Sequence, residues 1–467
     1  MVGNREIYLL TQEGQPMKLS PTIQKTTLPW ITIMAVLITT FAATGMAWAA
    51  QTAVVATVDS AWTAGALSVI SVDKTEGARS VSNKVNPIGN TDVAVAAFGD
   101  SFYRMERMDY NNVTKFAVND PKTIIYQYSC QGEDSAPANP HDLVFLSEEK
   151  AYLLRYGSTK AWIVNPSATT REAFKIGEID FGSYADADGI PEMNTGVIVD
   201  GKLYVNLQRI DFSGGWGNYV YHTSYVAVID TDTDTEIDTG KGTGAMKGIP
   251  VGITNSGTTT YLPENGLIYI QGSGSTDDLK GGVVSLDPAT FTVSQIVDDD
   301  TQGDGNALYG GRIFGMAIVS RTTGFFVAYH AWGDCSVYEF NPETGAVTGT
   351  VADLEHLDIA GMANGIYVDE NQMLWVNSGT AGGADEPEII IYDPSTDTID
   401  ERIQTVFSPG ATVFCGTASD YEKENDDGGS DGLCFIETGR EGVNGSGWGL
   451  FCITLFVPFL IMGKKHG

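Results

Sequence analysis

Positive charge is scarce in this chain: 27 lysines and arginines stand against 59 aspartates and glutamates, a formal net charge of −32 over 467 residues. Binding a nucleic-acid backbone by bulk electrostatics is excluded, because that needs a basic surface. Cysteine is nearly as rare, at five residues. No Cys-x-x-Cys pair occurs among them, so neither a zinc ribbon nor covalently attached haem is available. Three of the five histidines, His222, His330 and His356, share no common spacing, which argues against a multi-histidine copper or zinc centre. No Gly-x-Ser-x-Gly elbow, Walker loop or dinucleotide fingerprint lies in a strand-to-helix setting, so serine hydrolase, NTPase and dehydrogenase chemistry drop out. Long apolar runs are confined to the two ends. Between them the chain is long enough to bury a sizeable core.

The N-terminal end has the layout of a secretory signal. Lys18 and Lys25 precede an apolar stretch from Trp30 to Ala43, and Ala47-Trp48-Ala49 supplies a small-x-small cleavage pattern. Residues 1–49 are therefore expected to be a signal segment, with 1–16 an upstream misassigned start outside any fold, and the mature chain to begin near Ala50. At the other end an acidic, Gly-rich linker (residues 419–447) carries Cys434-Phe435-Ile436, and residues 448–467 carry an apolar stretch closed by Lys464 and Lys465. That stretch is 15 residues from Trp448 to Met462, roughly 22 Å of helix, which is short for a ~30 Å hydrocarbon core. Motif, apolar helix and basic end together resemble the C-terminal sorting tails of bacterial surface proteins, which implies anchoring through Cys434. The alternative is a tail anchor left in place. Either arrangement puts the folded part outside the cytoplasmic membrane, in the periplasm or on the outer surface, with the tail as its membrane contact. Cys434 and Cys452 belong to the tail, so Cys130, Cys335 and Cys415 allow at most one internal disulfide.

Between the ends, residues 50–418 repeat a unit: a strand of alternating apolar residues ending in Asp or Asn, then often Pro, then Thr. Instances start at Asp73, Asp120, Asn165, Asp230, Asp287, Asn341 and Asp393, spaced by 45 to 65 residues. The Asx side chain bonds its own backbone two residues on, so each motif predicts a tight turn between two strands. Around Asn165 the predicted strands are Asp142–Leu146, Ala151–Tyr156, Lys160–Val164 and Glu172–Ile179. Around Asp393 they are Gly365–Asp369, Met373–Asn377, Glu388–Tyr392 and Thr398–Ile403. Four short strands per unit predict an all-β, seven-bladed β-propeller of four-stranded antiparallel blades. The first unit has only three strands (Ala53–Val58, Ala66–Val72 and Ala78–Val85), while Ala411–Thr417 is left over. Pairing of that C-terminal strand with the first unit closes the ring and removes a sheet edge. A solenoid or sandwich array is the rival architecture. The Asp230 unit also carries a long aromatic loop, Phe212–Tyr221, around Gly214-Gly215-Trp216-Gly217.

In these turns, and in Asn139-Pro140-His141-Asp142, Tyr184 through Met193 and Leu203 through Arg209, the domain resembles the YVTN-type seven-bladed propellers of bacterial surface and periplasmic proteins. Most of those have no assigned activity. The naming string is degenerate here, surviving as Leu154-Arg155, Val205-Asn206 and Val376-Asn377. The resemblance implies a fold and no particular chemistry.

In a propeller the residues before each innermost strand converge on one mouth of the central channel. Here these include Asp92, His141, Asp142, Glu192, Asn194, Pro250, Asn364 and Pro409. Oxygen ligands from Asp142, Glu192 and Asn364 would hold Ca²⁺ at about 2.3 to 2.6 Å. Met362-Ala363-Asn364-Gly365 with Asp369 resembles a strand entry of the metal-dependent lactonase propellers. A second candidate calcium loop uses Asp180, Asp186, Asp188 and Glu192. It is not an EF-hand, because Glu192 comes three residues after Gly189. His141, Arg209 and Trp216 are candidate binding residues. The bland readings are turn chemistry at His141-Asp142 and a solvated acidic turn at Asp186 and Asp188.

Without an identifiable acid–base pair, the first expectation is an exported, envelope-associated binding module that engages a protein or cell-envelope partner. A metal-dependent, lactonase-like hydrolase or a lyase at the channel mouth is the second. A structural spacer is the third.

Overall fold

A computed structural model describes residues 51–416, except 109, 134–135, 216, 276–278, 301–305, 360–363 and 384, together with 8–10 and 16–18. Most of the expected signal segment, the linker with Cys434, the apolar tail and Trp216 lie outside the described residues. Tyr8–Leu10 and Pro16–Lys18 pair antiparallel as a two-stranded sheet.

The chain is a seven-bladed β-propeller. Blade 1 runs from inside to outside as Ser408–Cys415, Thr52–Val58, Gly65–Ser71 and Val81–Ile88. Blade 2 is Val93–Phe98, Ser101–Glu106, Asn112–Ala117 and Asp120–Ser129, and blade 3 is Pro140–Phe145, Ala151–Arg155, Lys160–Val164 and Lys175–Asp180. Blade 4 is Met193–Val199, Lys202–Leu207, Thr223–Asp230 and the short Thr235–Glu236, with Ile249–Thr254 also pairing on Thr223–Asp230. Blade 5 is Ser256–Leu262, Leu267–Gly272, Gly282–Asp287 and Thr292–Val297, and blade 6 is Arg312–Ile318, Gly324–Ala331, Asp334–Phe340 and Val347–Thr350. Blade 7 is Ile366–Val368, Leu374–Ser378, Glu388–Asp393 and Thr398–Gln404.

Closure is as expected: Ser408–Cys415 pairs antiparallel with Thr52–Val58, Val54 opposite Val413. Among the described residues, seven apolar clusters form, one at each interface between neighbouring blades. Blade 1 shows how a strand serves two of them: Ala53 and Val55 face the blade 7 cluster, while Val54 and Ala56 face that of blade 2. Strands covered on both faces need no alternation, and Ala151–Arg155 and Leu374–Ser378 are buried at every residue. Outermost strands alternate, as in Thr398–Gln404.

All seven Asx motifs fall at the junction of the third and fourth strands of a blade. At five of them the predicted turn forms. Asp230 Oδ1 accepts from Thr233 N at 2.9 Å, Asp287 Oδ1 from Ala289 N at 2.8 Å, Asn341 Oδ1 from Glu343 N at 2.9 Å, Asp393 Oδ1 from Ser395 N at 2.8 Å and Asn165 Oδ1 from Ser167 N at 2.9 Å. The other two differ. Asp120 is the first residue of the outermost strand, and Asp73 Oδ1 accepts from Asn371 Nδ2 of blade 7 at 3.2 Å. The strand predicted over Glu172–Ile179 is also corrected: Arg171–Phe174 is one helical turn, because Thr170 caps it by accepting from Ala173 N, and the strand begins at Lys175. Likewise Ala78–Val85 becomes Val81–Ile88, irregular because Lys84 and Asn86 take positive φ.

Candidate functional site

The start of each innermost strand pairs with the end of the second strand, Val93 with Glu106, Pro140 with Arg155, Met193 with Leu207 and Ser256 with Gly272. The loops joining second to third strands therefore share one face with the links between blades, and this face carries the channel mouth.

Three residues just before innermost strands, Asn139, Glu192 and Asn255, hold left-handed backbone with φ of 49°, 51° and 51°. Asparagine tolerates that region and glutamate resists it. The side chain at each position ties down a loop of this face. Asn139 Oδ1 accepts from Met108 N at 3.4 Å, Asn255 Nδ2 donates to Gly274 O at 3.1 Å, and Glu192 Oε2 accepts from Ile210 N at 2.9 Å. Glu192 thus holds the base of the decorated loop, where Ile210–Asp211 pairs with Val220–Tyr221 and the Phe212 and Tyr219 rings meet edge-on at 4.8 Å. Burial pushes the Glu192 carboxyl up to about 9, with Asp188 and Asp186 adding to the rise and the Ile210 hydrogen bond and Arg209 opposing it. It is neutral at pH 7.

Next to it a polar chain crosses four blades. Arg107 donates from Nε to Asp92 Oδ1 at 2.7 Å and from Nη1 to His141 Nε2 at 3.1 Å. His141 Nδ1 lies 2.9 Å from Asn194 Oδ1, and Asn194 Nδ2 donates to Ser256 O at 3.1 Å. The His141 ring stacks on Tyr156 at 4.0 Å, and Tyr156 OH donates to Gln208 Oε1 at 2.7 Å. Burial, reinforced by the Arg107 charge, lowers the His141 pKa well below the usual histidine range. The imidazole is therefore neutral, with its proton on Nδ1 facing Asn194 and its lone pair facing Arg107, a tautomer assigned from these partners. Both nitrogens are occupied. The cluster is a collar of hydrogen bonds and stacked rings running across blades 2 to 5.

The sequence-predicted residues divide accordingly. Asp142 accepts from Leu143 N at 2.8 Å and from Gly196 N of blade 4 at 2.9 Å, and burial raises its pKa to about 6. Asn364 Oδ1 accepts from Met316 N at 2.7 Å and Thr258 Oγ1 at 2.8 Å, while its Nδ2 donates to Met316 O at 3.1 Å. Asp142 and Asn364 thus lace neighbouring blades together. Arg209 donates to Tyr184 O at 3.0 Å and lies over the Tyr225 ring, beneath the decorated loop. Asp180 forms its own turn by accepting from Gly182 N at 2.8 Å. Asp186 and Asp188 come together instead with Asp211, their ligand oxygens all within 4.8 Å of one another. Asp188 Oδ2 accepts from Phe212 N at 3.0 Å, so this acidic group also borders the loop. Arg107, Tyr156, Gln208 and Asp211 were not singled out from sequence. The signal that could have found them is their place at or just past the end of second strands, opposite the innermost-strand entries.

No protein-family model matches the sequence, and no curated protein matches it. Solved structures do. The chain is similar to a provisionally assigned 6-phosphogluconolactonase of Bacteroides fragilis NCTC 9343 with a TM-score of 0.52 at 12% identity, over 79% of this chain and 99% of that one. It is similar to a protein from Lactobacillus plantarum with a TM-score of 0.53 at 11% identity, over 78% and 99%. The likeness is one of fold.

Proposed function

We propose that the domain is an exported binding module whose ligand-facing surface is the mouth face. One observation carries this reading. Of twelve exposed large hydrophobic side chains among the described residues, Val81, Ile124, Ile125 and Ile176 sit on outermost strands, and the other eight are all on loops of the mouth face. They are Trp62, Met108, Tyr110, Phe212, Val220, Leu308, Trp332 and Val406, contributed from around the ring. Apolar side chains gathered on one side of a rigid scaffold fit a contact surface, where exposed aromatics supply binding energy. The acidic surface fits a basic or polar partner and disfavours nucleic acid. On this reading the chain is a YVTN-type protein exported by its N-terminal signal, and its Cys434 tail holds it at the envelope. A calcium ion at Asp186, Asp188 and Asp211 would stiffen the decorated loop.

The test is binding of the labelled chain to isolated cell envelopes. Met108→Ser, Tyr110→Ser and Trp332→Ser are expected to abolish capture at unchanged melting temperature, whereas Ile124→Ser and Ile176→Ser leave it intact. Capture that survives all three mouth-face changes would reject the reading.

A second reading, a metal-dependent lactonase at the mouth, is supported by the carboxyls of Glu192, Asp186, Asp188 and Asp211 around one loop and by the named activity of the Bacteroides protein of like fold. The hydrogen bonds that tie Asp142 and Asn364 to neighbouring blades weigh against it. Lactone turnover that requires added metal and disappears in Glu192→Gln would favour it over binding. A spacer would show neither capture nor turnover.

A further inference from the structure

Between blades 6 and 7, on the mouth face, a carboxylate is buried with nothing to answer its charge. Asp358 is 2% exposed, and neither Oδ1 nor Oδ2 has a hydrogen-bond partner. Thr380, 7% exposed, likewise keeps its Oγ1 unpartnered. An isolated carboxylate in such a place costs several kcal/mol unless a proton or a cation neutralises it.

The two residues belong to one small cradle. Gly379 N donates to Asp358 O at 2.8 Å, docking the loop between the second and third strands of blade 7 against Asp358. A Cβ on Gly383 would sit 1.9 Å from Asp358 Oδ2 and 2.9 Å from Thr380 O, so only glycine leaves room for the carboxylate beside that carbonyl, which accepts from Gly383 N at 2.7 Å and keeps a second lone pair. On the opposite side a Cβ on Gly333 of blade 6 would lie 3.6 Å from Asp358 Oδ1. The carboxylate is therefore wedged between two glycine-bearing loops from neighbouring blades. The same blade 7 loop receives blade 1, because Trp62 Nε1 donates to Ala381 O at 3.0 Å.

Every unpartnered atom here is oxygen, and among the described residues no ion pair joins a basic side chain to Asp358. Carboxylate, hydroxyl and backbone carbonyl oxygens in an irregular array are the donors of a hard cation, and such a set suits calcium better than magnesium, which demands an octahedron and keeps its waters. We propose that Asp358, with Thr380 Oγ1 and the Thr380 carbonyl oxygen, is a calcium site that pins blade 7 to blade 6. It is separate from the Asp186, Asp188 and Asp211 group and does not depend on what the mouth face binds. Its effect is to stiffen the sector where blades 6, 7 and 1 meet.

The experiment titrates calcium into chelator-stripped full chain by calorimetry, with thermal melts in parallel. The unaltered chain should bind calcium and melt higher in its presence. Asp358→Asn should lose one bound equivalent, whereas Asp186→Asn and Asp211→Asn should retain that equivalent. Without metal, Asp358→Asn should melt at or above the unaltered chain, because an uncompensated charge is gone, and with calcium the order should reverse. Thr380→Val, which preserves shape, should weaken binding about tenfold while leaving the metal-free melt unchanged. The proposal is overturned if Asp358→Asn binds as many calcium ions with the same affinity as the unaltered chain, or if calcium leaves both melts alike.

Discussion

Ala53 lies opposite Phe414 across an antiparallel strand pair, so the last described strand is the innermost strand of the blade that the first strand of the wheel begins. Two interface clusters, with blade 7 and with blade 2, depend on that one pairing. Removing residues from Ser408 onward should uncover the edge of Thr52–Val58 and abolish cooperative melting, as followed by circular dichroism and gel filtration. The point change Val54→Asp, at a fully buried position, should cost roughly 3 kcal/mol or more, because the charge would enter an apolar interface. An unchanged melt for either variant would contradict closure.

Glu192 makes stability depend on pH with a definite sign. Its folded pKa, about 9, exceeds the ordinary 4.5, so the native chain binds this proton more tightly than the unfolded chain does. The stabilisation is complete below about pH 4.5 and is lost as pH rises towards 9. Asp142 and Asp299, each raised to about 6 chiefly by burial, act in the same direction over a lower and narrower range. Denaturant unfolding across this span should show stability falling with pH from this source. Glu192→Gln keeps the acceptor for Ile210 and should flatten the slope between pH 7 and 9; curves that stay parallel would show the proton to be elsewhere.

The second strands carry polar residues that clasp the next blade. Asn206 donates to Gly257 O at 3.2 Å and accepts from Ser256 Oγ, and Asn377 donates to Gly410 O and Thr412 Oγ1. Both are fully buried. Asn206→Ala should cost about 1 to 3 kcal/mol in chemical denaturation, since buried partners are left unpaired. A loss well below 1 kcal/mol would show that water takes over those bonds.

Cys130, Cys335 and Cys415 are all free and buried, so the one bridge that sequence allowed among them is not formed. Burial pushes each thiol up to about 12. None should react with iodoacetamide at pH 8 in the native protein, and all three should react in denaturant, as counted by mass spectrometry.

The architecture was legible because it rests on local chemistry. Asx turns, short apolar strands and the count of strands at each end are properties of neighbouring residues, and a surplus strand at one terminus with a deficit at the other has a closed wheel as its economical solution. Even the degenerate Val-Asn pairs were visible, although only the folded chain shows that Asn206 and Asn377 reach into the following blade. The turn at Arg171–Phe174 was misread because Thr170 caps a helix where a strand pattern also fits. What sequence alone determined, then, was the ring and which residues approach its mouth. Which groups meet there was decided by tertiary structure: Arg107 with His141 and Asp186 with Asp211 each join residues from separate loops. Whether such side chains touch depends on blade twist and on backbone turns such as the left-handed one at Glu192, and no spacing along the chain encodes that.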